Sequence, residues 1–569
     1  MRRLALIGSF YRRLSIPWPV LGFSFAIPLL LLGAIDLVYL DLRPGELFTG
    51  YYRQDFIYYS ANAREVFENG NGFSYGYPFS ASFTSPRIYS HLQLLLLGWA
   101  WKLTGIPLPV LWQIAGVVFG VCMFVALYKL LSCFFDDKHL DYVFYTISLA
   151  GGFLGYQALG VYLFGTAPGG GGRELGYFEV YRRVMEDTYG VGWFTNMFQS
   201  ALITTEVYYH ALAFATMALA VSGRLRWAVL GVFLTWWSHP FTGTEVGAIV
   251  GVWAALEVLL HRERRMIAFA AAVLAISVAF LIYYMVLIPH WSIEAADILA
   301  RWRTAPYFLR WPDIPAMWGI FPIGLAFLFW KRIRPLEVRA SSHDRFLAVW
   351  ITVVAGLLLH DKVLPESIQA LQPLHFSHGY FFLPIAILTM RGLISLTRDW
   401  RRPRLRAAAV AFVIFVAVDN VLFLASVASY DERPVLAPDE AAVANYLAQA
   451  EPAGVVLVMG KAHGDLREYL SVVSPHRVYL ISGYYTAYFG RKVAAVRDMV
   501  QSASPASKSA LLGIRWVVHP TVRGMAMKSD LADGKVRIAF ERGGLRVLEI
   551  LEPPVPWTPN GATRAYHLD

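Results

Sequence analysis

Asp41-Leu42-Arg43-Pro44, then Tyr52-Arg53-Gln54-Asp55-Phe56, then Ser85-Pro86-Arg87-Ile88-Tyr89-Ser90-His91 punctuate the stretch from Asp41 to Thr104, and the side of a membrane on which it lies decides the fold. It follows an apolar run, Trp18 to Leu40, long enough to cross a hydrocarbon core of about 30 Å. Arg2, Arg3, Arg12 and Arg13 precede that run, which is longer than a signal-peptide core and lacks a small-x-small cleavage site. It is therefore expected to remain as a first span running outward from a cytoplasmic N-terminus. The Asp41–Thr104 stretch is then expected on the outer face, holding Asp55 over a cavity.

Composition agrees with a membrane chain. Hydrophobic residues make up 57% of it and charged residues only 16%, with a mean hydropathy of +0.46, which excludes an ordinary soluble domain. Spans must be helices, because lipid cannot satisfy an open backbone. The formal charge of +10 comes mostly from short cationic clusters between apolar runs, the mark of cytoplasmic loops rather than of a nucleic-acid surface. The two cysteines, Cys122 and Cys133, offer no disulfide framework and no metal-ligand spacing.

Those clusters fix the topology. Lys129 with Lys138, Arg224 with Arg226, His261 to Arg265, Lys331 to Arg345 and Arg398 to Arg406 follow in order. If all face the cytoplasm, an even number of crossings separates each pair. About eleven spans satisfy this, near 18–40, 107–131, 142–164, 204–222, 227–239, 242–260, 267–288, 314–330, 346–361, 377–396 and 407–429. Tyr89 to Thr104 then does not cross and is expected as a half-buried interfacial helix. The outer segments are 41–106, 165–203, 289–313, 362–376 and all that follows 430. The run 227–239 is short and ends in Trp236-Trp237-Ser238-His239-Pro240, so 227–260 is expected as a hairpin whose tip sets His239 in a cavity wall; a Pro-kinked turn with a hydrogen-bonded histidine is the plainer alternative.

After Tyr430 the pattern changes. Short β-rich runs (Gly454–Met459, Arg477–Ile481, Arg515–Val518) alternate with amphipathic helices (Asp439–Ala448, Asp465–Val473, Lys492–Gln501), and Val536–Phe540 and Leu545–Leu551 flank Gly543-Gly544 as a hairpin. The fold class that results is a multi-pass α-helical membrane domain, residues 1–430, with juxtamembrane helices, followed by an extracytoplasmic α/β domain, 431–569.

Asp55 opens an amphipathic stretch in which Phe56, Tyr59, Ala63, Val66 and Phe67 share a face while Gln54, Asn62, Glu65 and Glu68 fall on others, before Asn69-Gly70-Asn71-Gly72 stops it. The order outward span, loop acid near the membrane surface, amphipathic helix, Gly-rich turn, Ser-Pro-Arg, interfacial helix and next span resembles the catalytic module of the GT-C superfamily of membrane glycosyltransferases, over roughly residues 18–260. The resemblance implies an inverting transfer of a sugar from a polyprenyl-phosphate or diphosphate donor to a lipid, glycan or protein acceptor on the outer face of a cytoplasmic (inner) membrane. Asp55 would take the acceptor hydroxyl proton.

A departing phosphate needs cations. Arg87 is the first candidate, with His91, Arg301, Arg303, His375 and His378 beside it, and Arg53 joins His239 as cavity wall. Glu186 and Asp187, with Glu206 and His210 one turn apart inside a span, form a candidate acceptor or second acidic site. A divalent metal is compatible with these acids, but no D-x-D motif indicates one. The Trp-Trp-Asp-Tyr-Gly motif of oligosaccharyltransferases is absent, since Ser238-His239 follows Trp236-Trp237, and so is the Asp-Glu pair of protein mannosyltransferases, since Phe56 follows Asp55. Two other classes remain to weigh: a transporter or flippase of a lipid-linked substrate, against which the asymmetric crowding of long loops argues, and a non-catalytic scaffold that binds a protein partner through the C-terminal domain.

Overall fold

The computed structural model describes residues 16–36, 42–50, 54–80, 83, 85–164, 166–167, 170–171, 176–189, 196–304, 318–331, 336, 341–360, 373–376, 380–396, 403–428, 435–460, 464–483, 485–520 and 527–555. The chain divides into two compact units. One comprises Met1–Ile35, Gln113–Leu281 and Pro306–Asp431; the other comprises Asp36–Trp112, Ile282–Ala305 and Glu432–Asp569.

Helices dominate. From the N-terminus they are α1 (Trp18–Asp36), α2 (Gln54–Glu68), α3 (Leu92–Thr104), α4 (Leu108–Leu131), α5 (Asp137–Leu149), α6 (Leu154–Phe164) and α7 (Tyr177–Tyr189). There follow α8 (Thr204–Val221), α9 (Leu225–Ser238), α10 (Pro240–His261), α11 (Arg264–Ile282), α12 (Ile293–Thr304), α13 (Ile320–Trp330), α14 (Ser342–Leu358), α15 (Phe382–Leu396) and α16 (Pro403–Ala428). A helix stands in each of the eleven expected spans. Among the described residues, α4, α10 and the run Arg264–Trp291 are each long and apolar enough to cross a membrane, and α5 with α6 adds a fourth if the bent pair is one span. The helix α3 has 13 residues and ends at Gly105, whose φ of 69° is open to glycine. At about 20 Å it is shorter than a hydrocarbon core of about 30 Å.

In the first unit the expected single span over 142–164 is broken, with α5 and α6 meeting at 42°. The reason lies in α16. Asp419 accepts from the backbone N–H groups of Gly152 and Gly155, and Asn420 donates to the carbonyl of Leu149 at 3.0 Å. Asp419 is fully buried, and one carboxylate thus satisfies the start of α6 where the helix ladder is interrupted. Elsewhere in this unit Arg345, one of the loop cations, turns inward on α14 and bonds Glu257 of α10 at 2.6 and 3.0 Å.

In the second unit the C-terminal chain adds α17 (Pro438–Gln449), α18 (Gly464–Val473), α19 (Phe489–Gln501) and α20 (Pro505–Leu511). Its strands follow a two-residue strand of the first loop: β1 (Leu47–Phe48), β2 (Val435–Leu436), β3 (Val455–Val458), β4 (Arg477–Val478), β5 (Ile514–Pro520), β6 (Val536–Arg542) and β7 (Leu545–Ile550). The strand β1 pairs antiparallel with β2, Leu47 opposite Leu436. The main sheet runs β4-β3-β5-β7-β6, parallel through its first three strands and antiparallel through the rest. Val455, Leu457, Ile514, Val517 and Leu548 fill its core with Met499 of α19. Gly543 turns the final hairpin at φ 51°, where Asn or Gly chemistry is required. The elements expected from sequence are present, β4 being shorter than its run.

Also in this unit, Tyr283–Leu287 form one π-helical turn. It leads from α11 toward α12.

Candidate functional site

The helix α2 puts Asp55 in its first turn, where the positive end of the helix favours a carboxylate. The expected apolar face is only part of what it buries. Ala61, Ala63 and Val66 are at or below 2% exposure, but Asn62, Arg64 and Glu65 are buried too. Each of these polar groups has a partner. Asn62 bonds the Tyr58 carbonyl at 2.9 Å, and Asn69 donates to Glu65 at 3.2 Å. Arg64 donates to the Ser474 carbonyl. Arg477 sends one amino group to the Glu65 carboxylate, at 2.5 Å, and the other to the Tyr77 carbonyl at 3.1 Å. Burial pushes the Glu65 carboxyl up from its ordinary range, and the Arg477 guanidinium pulls the other way. On its other side α2 is pressed by α3: a Cβ on Gly98 would stand 2.5 Å from the Ala63 carbonyl oxygen.

A second polar group lies in the same unit. Glu294 of α12 accepts from Ser80 at 2.7 Å, and Lys492 of α19 is 1% exposed with its ammonium 5.1 Å from the Tyr479 ring. Burial lowers the Lys492 pKa to about 8 against the opposing pull of Glu294 and Asp297. Arg301 bonds Asp297 at 3.0 Å, the Thr486 carbonyl at 2.7 Å and the Gly483 carbonyl. His91 Nδ1 lies 2.6 Å from the Tyr75 hydroxyl oxygen, and its ring stacks on Tyr284. Arg87 is exposed. Asp55 and Arg303 are described by their backbone alone, and Arg53 lies outside the described residues.

In the other unit, Glu206 and His210 sit one turn apart on α8, with His210 Nδ1 2.8 Å from the Glu206 carbonyl oxygen and 3.7 Å from Oε2. Tyr380 stacks on His210 at 4.7 Å. Glu245 of α10 is fully buried, and neither of its carboxylate oxygens has a hydrogen-bond partner among the described residues. His239 caps α10: its Nδ1 lies 2.9 Å from the Thr242 hydroxyl, with Pro240 at the first helical position. Its ring stacks on Tyr209 at 4.3 Å, His375 stacks on Phe241 at 4.1 Å, and the two histidine rings are 6.2 Å apart. The expected acid and histidine, Glu206 and His210, thus come together, as do His239 and His375. Glu186 and Asp187 fall in α7, described by backbone alone, and His378 lies outside the described residues. No group of three or more His, Cys, Asp or Glu among the described residues is arranged to hold a metal ion.

Sequence reading passed over Glu245, although a lone acid inside an apolar span is a signal in itself. It passed over Arg477 and Lys492 for a different reason: Glu65 and its guanidinium partner are 412 positions apart, and nothing local marks the pair.

No family model matches the chain, and no curated protein matches it. Solved structures do. The arabinofuranosyltransferase AftD from Mycobacteria aligns with a TM-score of 0.51 at 13% identity, over 94% of this chain and 42% of that one. ArnT from Cupriavidus metallidurans, bound to undecaprenyl phosphate, gives 0.48 at 14% identity over 94% and 99%. The oligosaccharyltransferase of Archaeoglobus fulgidus gives 0.45 at 11% identity over 88% and 69%. At this level of identity the likeness shows the fold alone, and over 94% of its length this chain is folded as AftD is.

Proposed function

We propose that the chain is an inverting glycosyltransferase that moves a sugar from a polyprenyl-phosphate or diphosphate donor to an acceptor on the outer face of the membrane. The observation that carries this is the place of Asp55: first turn of the first helix after α1, in a chain folded as AftD is. In the transfer the acceptor hydroxyl oxygen attacks the anomeric carbon from the face opposite the lipid phosphate. The bond between that carbon and the phosphate oxygen breaks, its electron pair stays on the phosphate, and the hydroxyl proton goes to the Asp55 carboxylate.

Arg87 supports the donor side of this reading. It is an exposed cation of the same outer segment, as are Arg43 and Lys102, and it follows Asp55 most closely among these, available to a phosphate on which charge develops. Arg301 is already held by Asp297 and two carbonyls, so its role in a phosphate cradle would require it to exchange partners. The eleven-span topology, with the N-terminus inside and residues 431–569 outside, belongs to the same proposal.

The test is transfer by full-length protein in lipid nanodiscs, using a panel of radiolabelled polyprenyl-phosphate hexoses and pentoses with envelope lipids and glycans as acceptors. Asp55→Asn is expected to stay folded and to lose transfer by a factor of about 10² or more. Wild-type transfer by that variant would remove Asp55 from the role of base.

A further inference from the structure

We infer that Arg477, acting through Glu65, is a positioning residue for Asp55, so that the C-terminal domain is a working part of the transfer site rather than an appended binding module. This rests on the reading of Asp55 as the base.

The argument is geometric. Asp55 and Glu65 lie ten residues apart on one uninterrupted helix, about 15 Å along its axis. A tilt of only about 5° at Glu65 would move Asp55 by about 1 Å, and a misplacement of that size can cost a reaction about 10²-fold. On the side away from α3, what fixes the tilt comes from one short stretch of the C-terminal chain. Ser474 takes the Arg64 guanidinium on its carbonyl, Arg477 takes Glu65, and Tyr485 stacks on Tyr58 with ring centroids 4.2 Å apart. The three clamps differ in chemistry and lie at both ends of α2, so they define a direction and not merely a contact.

Arg477 is the centre of the arrangement. It is 4% exposed and joins α2 to the carbonyl of Tyr77, thereby tying the helix to the loop that follows it. It also begins β4, the edge strand paired to β3, so its backbone is set by the sheet. A buried ion pair adds little net stability over apolar side chains of the same size, but it fixes one geometry among several. That is what a base carried on the far end of the same helix requires.

The experiment uses the full chain in nanodiscs with the same polyprenyl-phosphate sugar panel. Arg477→Ala leaves Glu65 buried without its cation and is at risk of misfolding, so the informative protein is the double variant Glu65→Ala with Arg477→Ala, which strands no charge. It is expected to keep the thermal transition of the second unit, to lose kcat at least tenfold with KM for the donor unchanged, and to show faster hydrogen exchange in residues 54–68. Arg477→Lys, which keeps the charge, is expected to recover part of kcat. A folded double variant with wild-type kcat, alongside an inactive Asp55→Asn, would overturn the positioning role while leaving the base in place. A fully active Asp55→Asn would overturn both.

Discussion

Replacing Gly98 by alanine tests how tightly the base-bearing helix must be held. The new Cβ would stand 2.5 Å from the Ala63 carbonyl oxygen and 3.2 Å from the Val66 side chain. The first neighbour is backbone and cannot swing aside. To reach even the 3.0 Å that real Cβ contacts tolerate, α2 and α3 must separate by about half an ångström, and closer to one for an ordinary contact. Overpacking of this kind costs about 1–3 kcal/mol, and the same displacement carried to Asp55 predicts a loss of kcat between several-fold and about 10². Gly33→Ala is the control, since a Cβ there meets nothing within 4 Å. Both variants would be compared with the parent by thermal melting and by donor turnover in nanodiscs. A Gly98→Ala protein with parental melting and parental kcat would refute the claim that α3 limits where α2 can lie.

Two further outcomes follow from the polar groups. His476 is 4% exposed, accepts from the Gly454 N–H at 3.0 Å, and is pushed by burial down to about 4. Its unfolded value is near 6.5, so the unfolded chain takes up a proton that the fold refuses. Stability is full above about 6.5 and falls as the pH drops toward 4, by about 3 kcal/mol in all. Denaturation of the full-length protein monitored by hydrogen exchange at Gly454 should show this slope, and His476→Gln should flatten it; an unchanged slope in the variant would assign the effect elsewhere. Asp419→Leu should cost about 2–4 kcal/mol by leaving two backbone donors of the α5–α6 break unsatisfied, read as a lowered melting temperature of the membrane unit. A neutral effect would mean that the break finds other partners.

Much of the fold could be read from the order of residues because its signals are local. Gly543-Gly544 announces a hairpin, Gly105 stops α3, and His239-Pro240 opens α10, each through backbone chemistry confined to a few positions. The break between α5 and α6 escaped because its cause, Asp419, sits on a helix some 270 positions later, as the 267-residue separation of its bond to Gly152 makes plain. The same holds for α2. Periodicity picks out Ala63 and Val66, which are buried, but Asn62 and Glu65 look like solvent-facing residues until Arg477 and the neighbouring chain cover them. In the candidate site, Glu206 with His210 was visible because helical spacing places them together, whereas the stacking of His239 and His375 with their aromatic neighbours depends on which helices pack.

The π turn at Tyr283–Leu287 constrains how this protein can change length. A π turn accommodates one residue more than an α-helical turn would, and here it delivers the Tyr283 hydroxyl to the Ile88 carbonyl at 2.6 Å and the Tyr284 ring to His91. Deleting a single residue there would let the turn relax into a regular helix, with the register on either side kept, but it would rotate the tyrosines within the turn by up to about 100° about the axis. The two tyrosines could then no longer both reach the loop that holds Arg87. Sequence drift along this apolar stretch is therefore freer in side-chain identity than in length: substitutions can accumulate at exposed positions such as Leu274 and Val278, while an indel of one in the turn would uncouple the tyrosines from the loop they brace.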